Sequence, residues 1–282
     1  MSWARTIISS LVGPTPRESA PRLDGRGLRQ PRASRGKQSR FNPGQLASFL
    51  ASPVTISSSK FLSLSCQATL TVKEDVTGVE FPLVQQFWES LEMFRSMGAS
   101  SRSKKIAFIN VKVYAMTLYL EAEKAAREFK IRDKGDFMKS GSDSDFCDVM
   151  LDGAFHKVLQ IRMVRNITSE QFIDAIDRRL RSKMEFMGQL APLEEFAEFI
   201  SGQKLNKGTD LLLFWHVQGF LDVAVVPGSI DDFSKTIPGK RIESPSLSRA
   251  LYELYLGEDP VIPDAKKSWA GGARLLLEST EI

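Results

Sequence analysis

Two histidines are the first residues to consider for catalysis, because an imidazole can act as a general base near neutral pH. His156 and His216 are the only histidines in the sequence. Each lies in a segment with the residue pattern of a β-strand, so a Ser-His-Asp or Cys-His arrangement would have to be built around a side chain that is more simply interpreted as structural. We therefore predict that neither histidine is catalytic.

Metal and phosphate chemistry is also poorly supported by the residue spacing. Asp143, Asp145 and Asp148 resemble the start of a calcium-binding loop. Such a loop needs glycine at its sixth position and glutamate at its twelfth, and neither is present. The dipeptide Gly239-Lys240 lacks the earlier glycine of a phosphate-binding loop. We predict a solvated loop at the aspartates, and no metal ion, nucleotide or other cofactor.

The elements that would position a site are strands and helices in separate runs. Four segments have the composition or alternation of strands: residues 108–120, 155–164, 211–217 and 221–226. Five segments have helical periodicity or helix-start signals, including a capping box at Thr168 and Gln171: residues 121–130, 168–187, 193–200, 244–254 and 263–277. This grouping predicts an α+β fold in which helices pack on one face of an antiparallel sheet.

The charge of the chain is unevenly distributed. Residues 1–70 contain ten lysines and arginines, two acidic residues and 13 serines, which leaves a net charge of −4 for the rest of a chain whose total is +4. We predict that residues 1–68 are a disordered plastid transit peptide and that residues 69–282 form one domain. The alternative is a disordered tail without a targeting role. A folded domain of negative net charge argues against nucleic acid as a partner.

Two further class assignments follow from composition. No run of 18 or more apolar residues occurs, so no transmembrane helix is predicted. Cys66 and Cys147 are the only cysteines, too few for a disulfide framework, and they fit a reducing compartment.

Residues 102–119, with the sequence RSKKIAFINVKVYAMTLY, resemble the core strand region of chalcone–flavanone isomerases. In that family an arginine precedes a long strand that ends in a short tyrosine-containing motif. Further segments match in the same order: Gln171-Phe172, residues 208–226 and residues 242–277. The resemblance covers roughly residues 77–278 and implies the chalcone isomerase fold, an open-faced sandwich of antiparallel sheet and helices.

The resemblance also shows where the enzyme pattern fails. The family's cleft arginine corresponds to Arg102, and its catalytic threonine corresponds to Tyr114. The catalytic tyrosine corresponds to Phe172, and the asparagine that contacts the flavonoid corresponds to Arg179. Because cyclisation needs hydrogen-bond donors for the charge that develops on the ketone, the loss of a tyrosine hydroxyl predicts a protein that is not an isomerase.

The combination of Arg102 and Tyr114 is similar to the plant plastid fatty-acid-binding branch of this fold. That likeness implies that both residues bind the carboxylate of a saturated fatty acid of medium to long chain. It also implies an apolar tunnel, for which the candidate lining residues are Phe108, Met116, Leu118, Phe172 and Ile176. A twelve-carbon chain would contribute roughly 9 kcal/mol before entropic costs.

The function implied is a non-catalytic fatty-acid carrier of the chloroplast stroma that supports fatty acid metabolism. Two alternatives stay open. The first is a divergent isomerase in which Arg102 polarises the ketone. The second is a non-catalytic partner protein that binds polyketide intermediates for another enzyme.

Overall fold

The computed structural model describes residues 70–88, 90–106, 108–133 and 141–279. Nine strands occur in these ranges: β1 (Thr71–Lys73), β2 (Glu80–Pro82), β3 (Val84–Gln85), β4 (Phe94–Ile106), β5 (Ile109–Glu121), β6 (Lys157–Met163), β7 (Asp210–Trp215), β8 (Leu221–Val226) and β9 (Lys240–Ile242). Six helices occur in the same ranges: α1 (Ala122–Arg132), α2 (Asp143–Asp152), α3 (Ser169–Phe186), α4 (Leu190–Ser201), α5 (Pro245–Leu256) and α6 (Pro263–Ser279).

Strands β3 to β9 form one seven-stranded antiparallel sheet in the order of the chain. Strands β1 and β2 pair with each other in a separate two-stranded sheet. Helices α1 and α2 lie in the connection between β5 and β6, and α3 and α4 lie in the connection between β6 and β7. Neighbouring strands of the sheet are consecutive in the chain, and the helices lie in the connections between them. This arrangement confirms the predicted α+β class and the antiparallel sheet.

The inner face of the sheet packs against the helices. Alternate residues of the central strands, such as Leu118, Leu159, Leu213 and Val223, are buried there together with side chains from all six helices. Trp269 of α6 is among the largest fully buried side chains. This layer is the main hydrophobic core, and it confirms the prediction of helices on one face.

The outer face carries a smaller aromatic core of its own. Phe87, Phe94, Tyr119, Phe214 and Phe233 are buried there, and the rings of Phe94 and Tyr119 lie 5.4 and 5.3 Å from the ring of Phe87. The Tyr119 hydroxyl donates to the carbonyl of Pro82 at 2.7 Å. The chain around β2 and β3 therefore covers part of the face that has no helices.

Helix starts agree with the local sequence. Thr168 and Gln171 form the predicted capping box of α3. A second capping box, formed by Ser142 and Asp145, starts α2. The prediction of a solvated loop at Asp143, Asp145 and Asp148 is therefore wrong, because the serine and aspartate satisfy the free backbone N–H groups of a helix start. Within the described ranges no cluster of three or more His, Cys, Asp or Glu side chains is placed to hold a metal ion.

The hairpin of β4 and β5 differs from the sequence interpretation. The prediction of a strand over residues 108–120 is confirmed by β5, but β4 is not predicted at all. Small polar residues dominate its middle, with Ser100, Ser101 and Ser103 around Arg102, and they lack the apolar alternation that marks a strand. None of the helices in the described residues is long and apolar enough to cross a bilayer.

Candidate functional site

Arg102 and Tyr114 are direct partners across the β4–β5 ladder. Residues opposite each other in an antiparallel pair project from the same face of a sheet. The Arg102 guanidinium carbon lies 5.9 Å from the centroid of the Tyr114 ring. The structure therefore brings the two predicted carboxylate-binding residues together, through pairing of two strands rather than through spacing along one.

A bulge in β4 supports this part of the strand. The register shifts between Ser96 and Ala99, and Gly98 has φ +126°, a region that side chains rarely adopt. Helix α6 holds the bulge: the Trp269 indole N–H donates to the Gly98 carbonyl at 3.0 Å, and the Ser268 hydroxyl donates to the Ala99 carbonyl at 3.1 Å. Arg102 thus lies on a strand that side chains of α6 hold in place.

Tyr255 of α5 completes the polar group at the site. Its hydroxyl oxygen lies 3.2 Å from that of Tyr114, and both side chains are buried. Burial raises the pKa of Tyr255 well above its usual value, with a further contribution from Tyr114. The Tyr255 hydroxyl is therefore protonated at neutral pH and can donate a hydrogen bond. Sequence analysis did not select Tyr255, which stood in a helix pattern with the apolar surroundings of a core residue.

The guanidinium of Arg102 keeps its charge although it is half-buried. Burial acts to lower the pKa of Arg102, but the hydroxyls of Tyr114 and Tyr255 raise it to a net value above the usual one. The side chains that act on the pKa of Arg102 are Tyr114 and Tyr255, and neither is a carboxylate. The site is therefore a cation beside two hydroxyls, an arrangement that suits a carboxylate or another anionic oxygen.

Four of the five candidate tunnel residues lie in the inner core. Met116 and Leu118 follow Tyr114 along the inner face of β5, and Phe172 and Ile176 project from α3 into the same core. Met116 and Leu118 have no exposed surface, so no space wide enough for water adjoins them. The core is closed at these two side chains.

Phe108 does not belong to this group. Its side chain is 98% exposed in the turn between β4 and β5. The prediction that Phe108 lines the tunnel is wrong, because the chain reverses at this point and β5 begins one residue later, beyond the edge of the core.

The positions that correspond to the family's catalytic side chains are occupied by groups with other contacts. Phe172 has no hydroxyl and is buried by apolar neighbours. Arg179 pairs with Asp259 of the α5–α6 connection, with Nη1 and Oδ2 2.6 Å apart. Phe172 therefore cannot donate the hydrogen bond that the resemblance assigns to a tyrosine in the enzymes.

The two histidines lie on the outer face, away from Arg102. His216 Nε2 is 2.9 Å from Asp222 Oδ2, and Arg241 donates two hydrogen bonds to the same carboxylate. His156 Nδ1 accepts a hydrogen bond from the backbone N–H of Val217 at 3.3 Å. Both rings thus take part in hydrogen bonds that hold the ends of strands.

A profile of the chalcone–flavanone isomerase family matches residues 76–276. Two curated relatives of that name are similar over most of the domain. The protein of Camellia sinensis is 26% identical over 188 residues, which are 64% of this chain and 80% of the relative. The protein of Hordeum vulgare is 26% identical over 210 residues, or 72% of this chain and 90% of the relative.

A crystal structure of a fatty-acid binding protein from Arabidopsis thaliana has the same fold. It superposes with a TM-score of 0.59 at 18% sequence identity and covers 74% of this chain and 100% of its own. The family profile spans most of the residues that form the sheet and the helices described above. The chain therefore belongs to the chalcone–flavanone isomerase family.

Proposed function

We propose that the protein is a non-catalytic carrier that binds a fatty acid, with the carboxylate at Arg102 and Tyr114, and that it works in the chloroplast stroma. One observation carries the proposal. A half-buried arginine lies directly opposite a tyrosine on the face of the sheet that carries the apolar core, and the side chains that act on its pKa are the two tyrosines Tyr114 and Tyr255.

The polar part of the site has the right donors for a carboxylate. The guanidinium presents N–H groups in a fixed fork that can bind both oxygens of one carboxylate. The Tyr114 hydroxyl, 3.2 Å from that of Tyr255, can turn from its tyrosine partner towards a ligand. A charge-assisted hydrogen bond of this kind contributes about 1.5–3 kcal/mol.

The apolar part of the site must open before a chain can enter. Phe172 and Ile176 of α3 are buried in the same hydrophobic cluster as Tyr114. Between α3 and α4, Ile173, Ile176 and Phe196 line an apolar gap that is too narrow for a water molecule. Movement of α3 would expose an apolar channel that leads towards Arg102, and an acyl chain in that channel would pack against the side chains that had separated.

Binding is tested on the full chain with lauric and palmitic acid. Arg102→Gln should weaken binding about 10- to 100-fold, because it removes one charge-assisted hydrogen-bond group. Lys104→Gln is the matched control, since Lys104 is a cation of the same strand that is exposed. Isothermal titration gives the affinities, and mass spectrometry of extracted lipid shows whether fatty acid copurifies.

Ligand that copurifies with the wild type and Lys104→Gln but not with Arg102→Gln would support the proposal. Equal binding by all three proteins would refute the carboxylate role of Arg102. No binding of either acid by a folded wild-type protein would refute the carrier function. Methyl esters of the same acids should bind as weakly to the wild type as the free acids bind to Arg102→Gln.

A divergent isomerase is the second candidate, and the paired hydroxyls of Tyr114 and Tyr255 favour it. Beside the Arg102 cation they could stabilise negative charge on a ketone oxygen. An assay of the conversion of chalcone to flavanone tests this function, with the reaction monitored by the loss of chalcone absorbance. Turnover above the spontaneous rate that is lost in Tyr255→Phe would replace the carrier assignment, whereas no turnover would exclude the isomerase for that substrate.

A further inference from the structure

The end of the β4–β5 hairpin extends beyond the rest of the sheet. Strand β6 pairs with β5 only from Tyr114 to Leu120, and β3 pairs with β4 only at Phe94 and Arg95. From Ser103 onward β4 and β5 pair with each other and with no other strand of the described residues. Residues 103–106 and 108–112, here called the hairpin arm, therefore project past the point where Arg102 and Tyr114 meet.

The tip of the hairpin arm is apolar and exposed. Phe108 is 98% exposed and Ile109 is 69% exposed. Single exposed apolar residues are common on proteins, but two adjacent large ones at the end of a projecting ribbon form a surface that association would bury. The hydrophobic effect favours their transfer from water to an apolar phase.

The rest of the hairpin arm is basic. Lys104, Lys105 and Lys112 are exposed, and no acidic residue occurs between Phe94 and Leu120. The arm therefore has a net charge of +3 in a part of the chain, residues 71–282, whose net charge is −4. Cations around an apolar tip complement a surface that is anionic outside and apolar below.

We propose that the hairpin arm docks on an anionic lipid bilayer. Lys105 lies one residue before Ile106, the last paired residue of β4, and Phe108 lies in the turn beyond that pair, while apolar side chains of interfacial proteins lie about 5–10 Å into the boundary between headgroups and acyl chains. The tip thus enters the acyl boundary when the lysines reach the phosphates. The arm begins at Ser103, next to Arg102. Docking of the arm therefore brings the candidate carboxylate site to the membrane surface.

Vesicle cosedimentation of the full chain tests the proposal in the absence of fatty acid. Vesicles of pure phosphatidylcholine are compared with vesicles that contain one third phosphatidylglycerol. Phe108→Ser should lower partition into the anionic vesicles about five- to tenfold, as expected from partial burial of one aromatic side chain. Phe186→Ser is the matched control, because Phe186 is 94% exposed elsewhere on the domain.

The lysines are tested in the same assay at low salt. Lys104→Gln with Lys105→Gln should lower partition about fivefold for each lysine, and salt should weaken binding of the wild type. Lys204→Gln with Lys235→Gln removes two other exposed lysines and is the control. All variants retain residues 1–70, so the contribution of that basic segment cancels in every comparison.

Direct insertion is measured with Phe108→Trp, whose fluorescence should be quenched by brominated lipid beyond the level of the wild type. Equal partition of the wild type, Phe108→Ser and Phe186→Ser would refute docking through the tip. A dimer that Phe108→Ser converts to a monomer would instead make the arm an interface between copies of this chain. If Phe108→Ser loses vesicle binding but keeps the fatty-acid affinity of the wild type, docking is supported and the carrier proposal is unaffected.

Discussion

At the scale of single residues, Lys157 is a lysine buried in the inner core. Its side chain is 3% exposed, and Nζ donates to the carbonyls of Gly153 at 2.9 Å and Phe155 at 3.2 Å. The rings of Phe155 and Trp215 lie within 4.6 Å of the ammonium group. These contacts offset part of the cost of burying the charge.

Replacing Lys157 should change how stability depends on pH. Burial lowers the pKa of Lys157 from 10.5 to about 7, so between these values the unfolded chain binds a proton that the folded chain does not. The free energy of unfolding should therefore rise by about 2 kcal/mol between pH 7 and pH 9 from this residue. Lys157→Met should remove this rise and be more stable than the wild type at pH 7.

Urea unfolding at several pH values measures the effect, with Lys204→Met as the control at an exposed lysine. The control should retain the pH dependence of the wild type. A Lys157→Met protein whose stability follows the same pH curve as the wild type would show that the ammonium group stays charged in the fold. Burial raises the pKa of the Cys147 thiol to about 12. This thiol is present in every variant, so its contribution to the pH dependence cancels in the comparison.

At the scale of elements, contact between α6 and β4 positions the strand that carries Arg102. Gly271 and Gly272 are adjacent in α6, yet their surroundings differ. A Cβ atom on Gly272 would overlap the carbonyl group of Met97, whereas a Cβ atom on Gly271 would have no neighbour within 4 Å. The absence of a side chain at Gly272 thus permits the helix and the β4 bulge to approach.

The two glycines should respond oppositely to alanine. Gly272→Ala should destabilise the protein by about 1–3 kcal/mol, because a rigid backbone group must shift to admit the methyl group. Gly271→Ala should stabilise it by about 0.5–1 kcal/mol through helix propensity alone. Thermal and urea unfolding measure both changes. Similar destabilisation by the two substitutions would show that α6 does not depend on close contact at Met97.

The same elements show what could be predicted from the sequence. Helices with strong caps, such as the one that starts at Thr168, and strands with apolar residues, such as β6 and β8, have local signals. Strand β4 has none, because its form depends on pairing with β5 and contact with α6. The pairing of Arg102 with Tyr114 depends on the turn between these strands, and the position of Tyr255 depends on how α5 packs, so neither can be derived from spacing.

At the scale of the whole molecule, the candidate site joins three parts with different properties. The inner core supplies apolar side chains, the paired strands supply the cation and the hydroxyl, and the hairpin arm extends the same two strands into solvent. A ligand with a charged head and an apolar tail matches this order. Exchange of such a ligand with a membrane would then require only that the arm and the site lie next to each other. They do, because Arg102 of the site and Ser103 of the arm are consecutive residues of β4.

The division of charge along the chain bears on where the protein works. The basic, serine-rich residues 1–68, which lie outside the described residues, are predicted to direct import into the chloroplast. A fluorescent protein fused behind residues 1–68 should accumulate in the stroma of leaf cells, and a fusion of residues 69–282 alone should stay outside the organelle. Replacing Arg26, Arg29, Arg32 and Arg35 by glutamate should abolish most of the import, because an acidic segment lacks the composition of a transit peptide. Accumulation of the first fusion in mitochondria would assign the protein to another organelle, and a cytosolic signal would show that the segment is a tail without a targeting role.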